Sequence, residues 1–358
     1  MKAKIRPSVR LAIIGCGLIG KRHAEAIMGS DGAELIAFVD PYIDTEPMVA
    51  GRRIPLFADL DQLFNVSRPD GVIIASPTKL HISQARQCLS VGVPMLIEKP
   101  ISDDLEEAWS LVAESQILDV AMLVGHHRRF NPLIHKAHQF ISDGHIGNIR
   151  GLNIICWFYK PDEYFNVAPW RKKMGAGPIS VNLIHDIDLM RYFCGEVVSV
   201  QAQTVQSIRG YENEDVASAL LRFANGALGT LSVSDSIAAP WSWEFTSSEN
   251  SVYPYTHQSC YFIGGSEGAL SIPDMRFWSH EGQNDWWNPM SSVPLQYNAS
   301  DPLINQINHF IRVIVGEEEP LVSGLEGTKS LEVIDAIQKA AKNQEVIELN
   351  EHLKREET

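Results

Sequence analysis

Residues 11–40 read LAIIGCGLIGKRHAEAIMGSDGAELIAFVD, and this stretch decides the fold. Two short apolar runs, at residues 11–14 and 33–39, are typical of strands that are buried on both faces of a sheet. A turn with three glycines, at residues 15, 17 and 20, and a helix-compatible segment lie between the runs, and Asp40 follows the second run. The stretch therefore predicts a strand–turn–helix–strand unit.

The three glycines stand at the G-x-G-x-x-G spacing of a dinucleotide-binding turn. Gly15 permits a tight turn, Gly17 lets the backbone approach a pyrophosphate, and Gly20 lets the helix pack closely on the sheet. The helix begins at Leu18 and Ile19, where unpaired N–H groups and the positive end of the helix dipole can face phosphates. We expect these five residues to contact a bound dinucleotide.

Asp40 lies at the end of the second predicted strand, twenty residues after Gly20. Its carboxylate can accept hydrogen bonds from a ribose, and its charge opposes a 2′-phosphate. No arginine follows it, since Pro41 and Tyr42 come next. The sequence therefore predicts NAD as cofactor, with NADP less favoured. The alternative is an ordinary βαβ unit that binds no ligand.

Composition limits the classes of partner. The chain has 358 residues, which predicts two domains, and its net charge of −14 argues against nucleic acid or anionic membranes as partners. No apolar run is long enough to span a bilayer.

The five cysteines are scattered without a C-x-x-C pair, which predicts reduced thiols in the cytoplasm. The clustered histidines lack acidic or cysteine partners at ligand spacing, so no metal site is expected.

Polar residues follow the later strands of the first domain. Ser76 and Thr78 come after a buried strand at residues 71–75, and His81 opens the next predicted helix. Ligands of open parallel sheets bind at the carboxyl ends of the strands, so these three residues are candidates to contact the cofactor. Turn chemistry and helix capping explain them equally well.

Lys99 follows another buried strand, at residues 93–97. Burial and a nearby positive nicotinamide would favour its neutral amine. It could then hydrogen-bond and polarise a substrate oxygen, or shuttle a proton. Pro100 fixes the chain after it, and a cis bond is an option there. Taken alone, a lysine at this place is more often an exposed loop residue.

A predicted helix at residues 179–193 carries His185 and Asp188 on one face, with Asn182 one turn earlier. The helix dipole near His185 disfavours imidazolium, and a neutral imidazole suits a general base for an alcohol. The alternative is a core histidine bonded to a buried aspartate.

The other elements predicted for the second domain are a helix at 132–141, a strand at 148–159, a loop at 160–177, strands at 197–205, 215–223 and 227–235, a hairpin at 259–272, and helices at 304–315 and 327–342.

Six motifs are similar to those of the Gfo/Idh/MocA oxidoreductase family, which includes glucose–fructose oxidoreductases and inositol 2-dehydrogenases. They are GCGLIGKRH at 15–23, SPT with a later histidine at 76–81, EKP at 98–100, GHHRRFNP at 125–132, WR at 170–171 and GAGPISVNLIHDID at 175–188. The resemblance implies an α/β protein with an N-terminal Rossmann domain, residues 1–128, built on a parallel sheet. It also implies a C-terminal α+β domain, residues 129–358, with a large, open, mostly antiparallel sheet that forms a homodimer or homotetramer. The last helices would pack back on the first domain.

The resemblance also implies roles for individual residues. Lys99 and His185 would be the catalytic pair, and the substrate would contact Lys99, Asn182, His185 and Asp188. Further cofactor contacts would come from Glu98, Lys99, His127, Trp170 and Arg171. The chain departs from the family motif where many members carry an aspartate and a glycine, since Val181 and Leu183 stand there.

These observations predict an NAD(P)-dependent dehydrogenase that acts on the CH–OH group of a sugar, cyclitol, sugar acid or ring diol. Several cations in the motifs hint at an anionic substrate, although phosphate binding and solvated loops explain them equally well. Two alternatives stay open, as some relatives hydrolyse glycosides with a tightly held NAD and others are non-catalytic regulators that bind NAD. Retention of Lys99 and His185 argues against a regulator.

Overall fold

The computed structural model describes residues 8–349, and the chain divides into two compact units. The first unit runs to Asn131 and also includes Ser300–Leu331, and the second comprises Pro132–Ala299 and the chain from Glu332. The sequence predicts a boundary after residue 128, whereas contacts divide the chain after Asn131 and assign Ser300–Leu331 to the first unit.

The first unit is built on a parallel sheet. Its strands are β1 Val9–Ile14, β2 Ala33–Val39, β3 Met48–Val49, β4 Arg52–Arg53, β5 Leu56–Phe57, β6 Gly71–Ile74, β7 Met95–Ile97 and β8 Met122–Val124. Within the described residues, six of these strands form one sheet in the order β5-β2-β1-β6-β7-β8, and every neighbouring pair is parallel. The strands β3 and β4 make a separate small hairpin in a segment where the sequence indicates no element.

Helices cover both faces of this sheet. They are α1 Leu18–Met28, α2 Leu60–Val66, α3 His81–Ser90 and α4 Leu105–Leu118. Successive side chains of a strand point to opposite faces, so Leu11 and Ile13 of β1 join one core cluster while Ala12 and Ile14 join another. Burial on both faces explains why these strands read as continuous apolar runs.

The second unit combines helices with a larger sheet. Its elements before residue 300 are α5 Pro132–Ser142, β9 Ile149–Trp157, α6 Asp162–Val167, α7 Ile184–Cys194, β10 Val197–Gln206, β11 Glu214–Phe223, β12 Leu228–Ser234, α8 Trp243–Thr246, β13 Tyr261–Gly265, β14 Ala269–Ile272, β15 Arg276–His280 and β16 Met290–Pro294. The predicted loop at residues 160–177 is not continuous, because it contains α6 and a 3₁₀ turn at Pro169–Lys172.

Two helices and a short strand complete the described chain. Helix α9, Pro302–Ile314, belongs to the first unit, where Ile307, Phe310 and Val313 join the core cluster that contains Leu11. Helix α10 spans Gly324–Asn343, and the boundary between the units falls within it. Strand β17, Ile347–Glu348, pairs with β10. No helix in residues 8–349 is both long and apolar enough to cross a membrane.

The sheet of the second unit is mostly antiparallel. In the part of the chain that is described it has nine strands, in the order β16-β15-β14-β13-β9-β12-β11-β10-β17. The neighbours β12 and β9 are parallel, and the other pairs are antiparallel. The two sheets confirm the predicted fold class.

One face of this larger sheet is covered and the other is open. Helices α5, α7 and α10 pack on the covered face, where Ile187 and Ile337 join Ile154 of β9 in one core cluster. Strand residues that alternate with the core residues point the opposite way. Leu220 and Phe262 are two apolar examples, and both are exposed. In the described residues the strand order ends at two edge strands, β16 and β17, so the sheet is open as predicted.

Candidate functional site

The glycine turn has the geometry that the sequence predicts. Gly15 has a φ of +97°, and an added Cβ would lie 2.7 Å from the Ala75 carbonyl oxygen. An added Cβ at Gly20 would overlap the Gly15 carbonyl oxygen, so glycine is required for close packing of α1. An added Cβ at Gly17 would meet no heavy atom within 4 Å. The space beside Gly17 is therefore open to a ligand.

The first turn of α1 faces that open space. Gly17 is the N-cap residue and has no side chain with which to accept the N–H groups of the helix. Leu18 is 78% exposed and Ile19 is 46% exposed, although both are apolar. An uncapped helix N-terminus is suited to phosphate oxygens, because its N–H groups and dipole both favour an anion.

Asp40 is joined to this turn by hydrogen bonds. Its Oδ2 accepts the Cys16 N–H at 2.9 Å, and its Oδ1 accepts the Tyr42 N–H at 3.0 Å. A carboxylate has about four acceptor positions, so capacity is left for ribose hydroxyls. Burial, followed by the charge of Asp40, raises the pKa of the Cys16 thiol to about 11. The acid, the turn and the helix terminus together fit NAD.

Ser76, Thr78 and His81 lie where β6 ends. The Ser76 hydroxyl donates to Gln84 Oε1 at 2.5 Å, and Thr78 begins a short 3₁₀ turn. The His81 ring is buried between two backbone carbonyls, with Nε2 2.9 Å from Ser76 O and Nδ1 3.0 Å from Pro100 O. Burial lowers the pKa of His81, and its backbone hydrogen bonds oppose that change. His81 thus joins the loops after β6 and β7, and its proposed contact with a cofactor stays a prediction.

Glu98 and Lys99 follow β7, and a buried histidine holds the glutamate. The Glu98 Oε1 lies 2.7 Å from His23 Nε2, and the Lys99 N–H donates to Glu98 Oε2 at 3.2 Å. Burial tends to raise the pKa of Glu98. Its hydrogen bond to His23 and the charges of His23, Lys99 and His127 outweigh burial and lower the pKa to about 2. The Lys99–Pro100 peptide bond is cis. The structure therefore brings Glu98, Lys99 and His127 together in the first unit.

Trp170 and Arg171 lie on a 3₁₀ turn of the second unit. The Arg171 Nη1 donates to the Tyr164 carbonyl at 2.7 Å, and its guanidinium lies 4.0 Å from the centre of the Tyr164 ring. Trp170 is 58% exposed, and its ring centre lies 5.6 Å from the same guanidinium. Arg171 is thus oriented by Tyr164, while Trp170 keeps an accessible ring face. Their contacts with a cofactor stay predictions.

His185 and Asp188 lie on α7 and are both buried. The residues before α7, Ile179–Leu183, form a π-helix and not the α-helix that the sequence predicts. Asn182 lies on this π-helical turn, so the turn carries a polar group just before His185. Asp186 is also buried and accepts a hydrogen bond from the Tyr261 hydroxyl in the sheet.

A network that the sequence does not indicate holds the π-helical turn. The Ile179 N–H donates to Glu214 Oε1 at 3.2 Å, and an added Cβ at Gly177 would overlap the same carboxylate. Burial raises the pKa of Glu214. The Lys160 Nζ donates to Asn182 Oδ1 at 2.6 Å. The first turn of this helix is therefore held by groups from other elements.

Lys160 and Asp235 meet because two strands are parallel. Strands β9 and β12 end side by side, with Trp157 paired to Ser234. The Lys160 N–H then donates to the Asp235 carbonyl at 2.9 Å, and Arg209 Nη1 lies 3.1 Å from Asp235 Oδ1. In the sequence, Lys160 and Asp235 could have been identified as candidates because each is a polar residue shortly after an apolar strand. Within residues 8–349, no group of three His, Cys, Asp or Glu side chains is arranged to hold a metal ion.

Two family models match the chain. The model of an oxidoreductase family with an NAD-binding Rossmann fold matches residues 9–126, and the model of the GFO/IDH/MocA C-terminal domain matches residues 134–271. The two matches together cover more than half of the 358 residues.

Full-length relatives agree with these matches. The chain is 26% identical to inositol 2-dehydrogenase from Rhizobium meliloti over 336 residues, which are 92% of this chain and 96% of that protein. It is 26% identical to D-apiose dehydrogenase from Paraburkholderia graminis over 350 residues, which are 94% of this chain and 89% of that protein. The WlbA dehydrogenase from Bordetella pertussis, solved in complex with NADH and UDP-GlcNAcA, has the same fold, with a TM-score of 0.74, 24% identity, and coverage of 96% of this chain and 99% of that one. This chain therefore belongs to the Gfo/Idh/MocA family of oxidoreductases, whose Rossmann domain binds NAD.

Proposed function

We propose that this oxidoreductase moves a hydride between a secondary alcohol and NAD, and that its substrate is a sugar, cyclitol, sugar acid or ring diol. The observation that carries the proposal is the hydrogen bond from the Cys16 N–H to Asp40, which fixes an acid beside the glycine turn. An NAD molecule needs that acid and an uncapped helix N-terminus in one place. The relatives named for an inositol and for apiose support a polyol as substrate.

The first unit supplies most of the groups that would hold NAD. The glycine turn and the start of α1 would bind its phosphates, and Asp40 would bind the adenosine ribose and disfavour NADP. The remaining residues that we propose for cofactor contact are Ser76, Thr78, His81, Glu98, Lys99, His127, Trp170 and Arg171. When it is bound, NAD supplies the acceptor for the hydride.

The reaction also needs a group that takes the hydroxyl proton. His185 accepts that proton, while the hydride leaves the carbinol carbon and a carbonyl bond forms. Lys99 donates a hydrogen bond to the substrate oxygen and stabilises the charge that develops on it. Asp188 orients His185 or binds a neighbouring hydroxyl, and Asn182 contacts the substrate as well. Reduction of a ketone runs through the same steps in reverse.

We also propose a homodimer or homotetramer that forms through the open face of the second unit's sheet. Exposed apolar side chains on this face, such as Leu220 and Phe262, support an interface. A depression of about 550 Å³ on the unit is lined in part by Trp241, Phe262 and Trp278. A cytoplasmic location is supported by the five cysteines, whose side chains are buried thiols.

The test is a substrate screen with two readouts. Sugars, cyclitols, sugar acids, ring diols and glycosides are incubated with NAD, and both NADH absorbance and released free sugar are followed. We expect NADH from at least one alcohol, and a loss of at least about a hundredfold in kcat for Lys99→Ala and His185→Ala. Free sugar without net NADH would support the hydrolase alternative and contradict the proposal.

Matched variants control for general effects of losing these side chains. Lys339→Ala removes an exposed lysine that pairs with Asp335 on α10, and His145→Ala removes an exposed histidine. Both controls should retain wild-type turnover. Full turnover by Lys99→Ala and His185→Ala on an accepted substrate would overturn the assignment of the two catalytic residues.

A further inference from the structure

Lys160 and Asn182 form a polar pair in the second unit. The Lys160 Nζ lies 2.6 Å from Asn182 Oδ1 and 3.7 Å from Asp235 Oδ2. Lys160 is only 4% exposed, and its nitrogen lies 5.0 Å from the centre of the Tyr164 ring. Asn182 is half-buried and lies on the π-helical turn just before the helix that carries His185.

The lysine determines which way the asparagine amide is turned. An ammonium group has three donors and no acceptor, so the amide must present its oxygen to Lys160. The Nδ2 group, with two N–H donors, then points away from Lys160. Burial lowers the pKa of Lys160, and the Asp235 carboxylate opposes that change. The pair therefore consists of the positively charged Lys160 ammonium and the Asn182 Nδ2 donor, which is turned away from Lys160.

The backbone around Asn182 is held in place, so the amide direction is well defined. The Ile179 N–H is bound by Glu214, and the Ser180 hydroxyl accepts from Gln338 Nε2 at 2.8 Å. The Asp235 carboxylate behind Lys160 is fixed in turn by Arg209 Nη1 at 3.1 Å. A preorganised donor loses little conformational entropy when a substrate binds.

We propose that Lys160 and Asn182 determine substrate specificity, with the Asn182 Nδ2 donating to an acceptor-only oxygen on the carbon next to the reacting carbinol. The substrate class is then a hydroxy acid or an oxidised sugar, whose carboxylate or carbonyl oxygen carries no proton. The inference rests on the proposed function, because it takes His185 as the base that faces the carbinol.

The chemistry of the pair favours an acid over a polyol. A carboxylate forms a stronger, charge-assisted hydrogen bond with an amide donor than a neutral hydroxyl does. The Lys160 ammonium behind the amide polarises it and adds to that preference. The residue before Asn182 is Val181, which can neither accept a proton from a substrate hydroxyl nor repel a carboxylate.

The experiment compares acids with polyols of the same carbon skeleton. Gluconate is paired with glucitol, and galactonate with galactitol, and kcat/KM is measured with NAD for each. We expect the wild-type enzyme to prefer the acid by about tenfold or more. An equal or lower kcat/KM for the acid in every pair would overturn the inference.

Two variants test the pair itself. Asn182→Asp replaces the amide donor by a carboxylate, and we expect the acid-to-polyol ratio to fall by at least about tenfold, mainly through KM for the acid. Lys160→Met leaves the amide without its fixed orientation, and the ratio should fall in the same direction. A ratio that stays at the wild-type value in Asn182→Asp would overturn the inference even if Lys160→Met fails to fold, because Asn182 is only half-buried.

Controls keep this test separate from the proposed function. Lys339→Met removes an exposed lysine of the same unit, and the wild-type ratio should persist. NAD affinity and thermal unfolding are measured for each variant. Neither quantity should change in parallel with the acid-to-polyol ratio of kcat/KM. NADH formation from polyols, without a preference for acids, would contradict the specificity pair and leave the proposed dehydrogenase intact. No NADH from any member of the full screen would contradict the proposed function itself.

Discussion

The variants Gly15→Ala and Gly17→Ala separate folding from cofactor binding, although the two positions are close in sequence. Gly15 has a φ of +97°, and its added Cβ would lie 2.7 Å from the Ala75 carbonyl oxygen. Gly17 has a φ of −68°, and its added Cβ would meet nothing within 4 Å. The first variant should therefore damage the fold, and the second should damage only the binding of a ligand at the turn.

The expected magnitudes follow from these geometries. A non-glycine residue in the backbone region of Gly15 costs about 1–3 kcal/mol, and the close Cβ contact adds about 1 kcal/mol. The free energy of unfolding should fall by about 2–4 kcal/mol, which lowers Tm by roughly 4–16 °C. Gly17→Ala should change the free energy of unfolding by less than about 0.5 kcal/mol. It should weaken NAD binding about tenfold or more, because the methyl group occupies the approach of the pyrophosphate.

The assay combines urea unfolding, followed by tryptophan fluorescence, with calorimetric titration of NAD. Wild-type affinity for NAD in the Gly17→Ala variant would refute the placement of the phosphates at this turn. Wild-type stability of the Gly15→Ala variant would refute the argument from its backbone angle and its contact.

Three further predictions concern Asp40, Glu98 and the five cysteines. Asp40→Ser should lower the preference for NAD over NADP about tenfold or more, measured as the ratio of dissociation constants, and an unchanged ratio would show that Asp40 does not face the 2′ position. Glu98→Gln removes the carboxylate that pairs with His23. The pKa of Glu98 in the folded protein is about 2, below the ordinary value of 4.5, so the ionised carboxylate stabilises the fold by about 3 kcal/mol at most. This contribution is fully present above pH 4.5 and is lost as the pH falls toward 2. Urea unfolding of both proteins from neutral pH downwards should show a difference that shrinks over this range. The five buried cysteines should not react with a thiol reagent in the native protein, because burial raises the thiol pKa of Cys16 to about 11 and of Cys88 to about 12, and rapid native labelling would contradict this.

Features that depend on neighbours in sequence were predicted well. The glycine turn, Asp40 and the first two strands follow from short-range chemistry. The turn at Asn225 and Gly226 does as well, because Gly226 has a φ of +86° and an Asn-Gly pair favours such a turn. Strands β1 and β2 lie where their apolar runs indicate, since burial on both faces requires such runs.

Features that depend on distant residues could not be predicted. The apolar pattern at Ile179–Leu183 suits an α-helix and a π-helix equally, and the contact with Glu214 that accompanies the π-helix comes from β11. Lys160 reads as a loop lysine until the parallel pairing of β9 with β12 brings it to Asp235. In the sequence His23 is simply the last residue of the glycine motif. Its contact with Glu98, 75 residues later, follows from the order of the strands in the sheet and cannot be read from neighbouring residues.

Strands at the edge of the larger sheet were missed for another reason. Strands β15 and β16, at Arg276–His280 and Met290–Pro294, are only partly buried, so their alternation of apolar and polar residues is weak. The structure shows that β15 and β16 pair as an antiparallel hairpin, whereas the residue composition of this segment does not predict two strands.

The most direct test of the central claim follows the hydride itself. A substrate identified in the screen is prepared with deuterium on its carbinol carbon, and the NADH that forms is analysed by mass spectrometry. We predict that one deuterium is transferred to the nicotinamide, that the wild-type rate shows a primary isotope effect under single-turnover conditions, and that His185→Ala loses the transfer. NADH that carries no deuterium, or transfer that is unchanged in His185→Ala, would contradict the account.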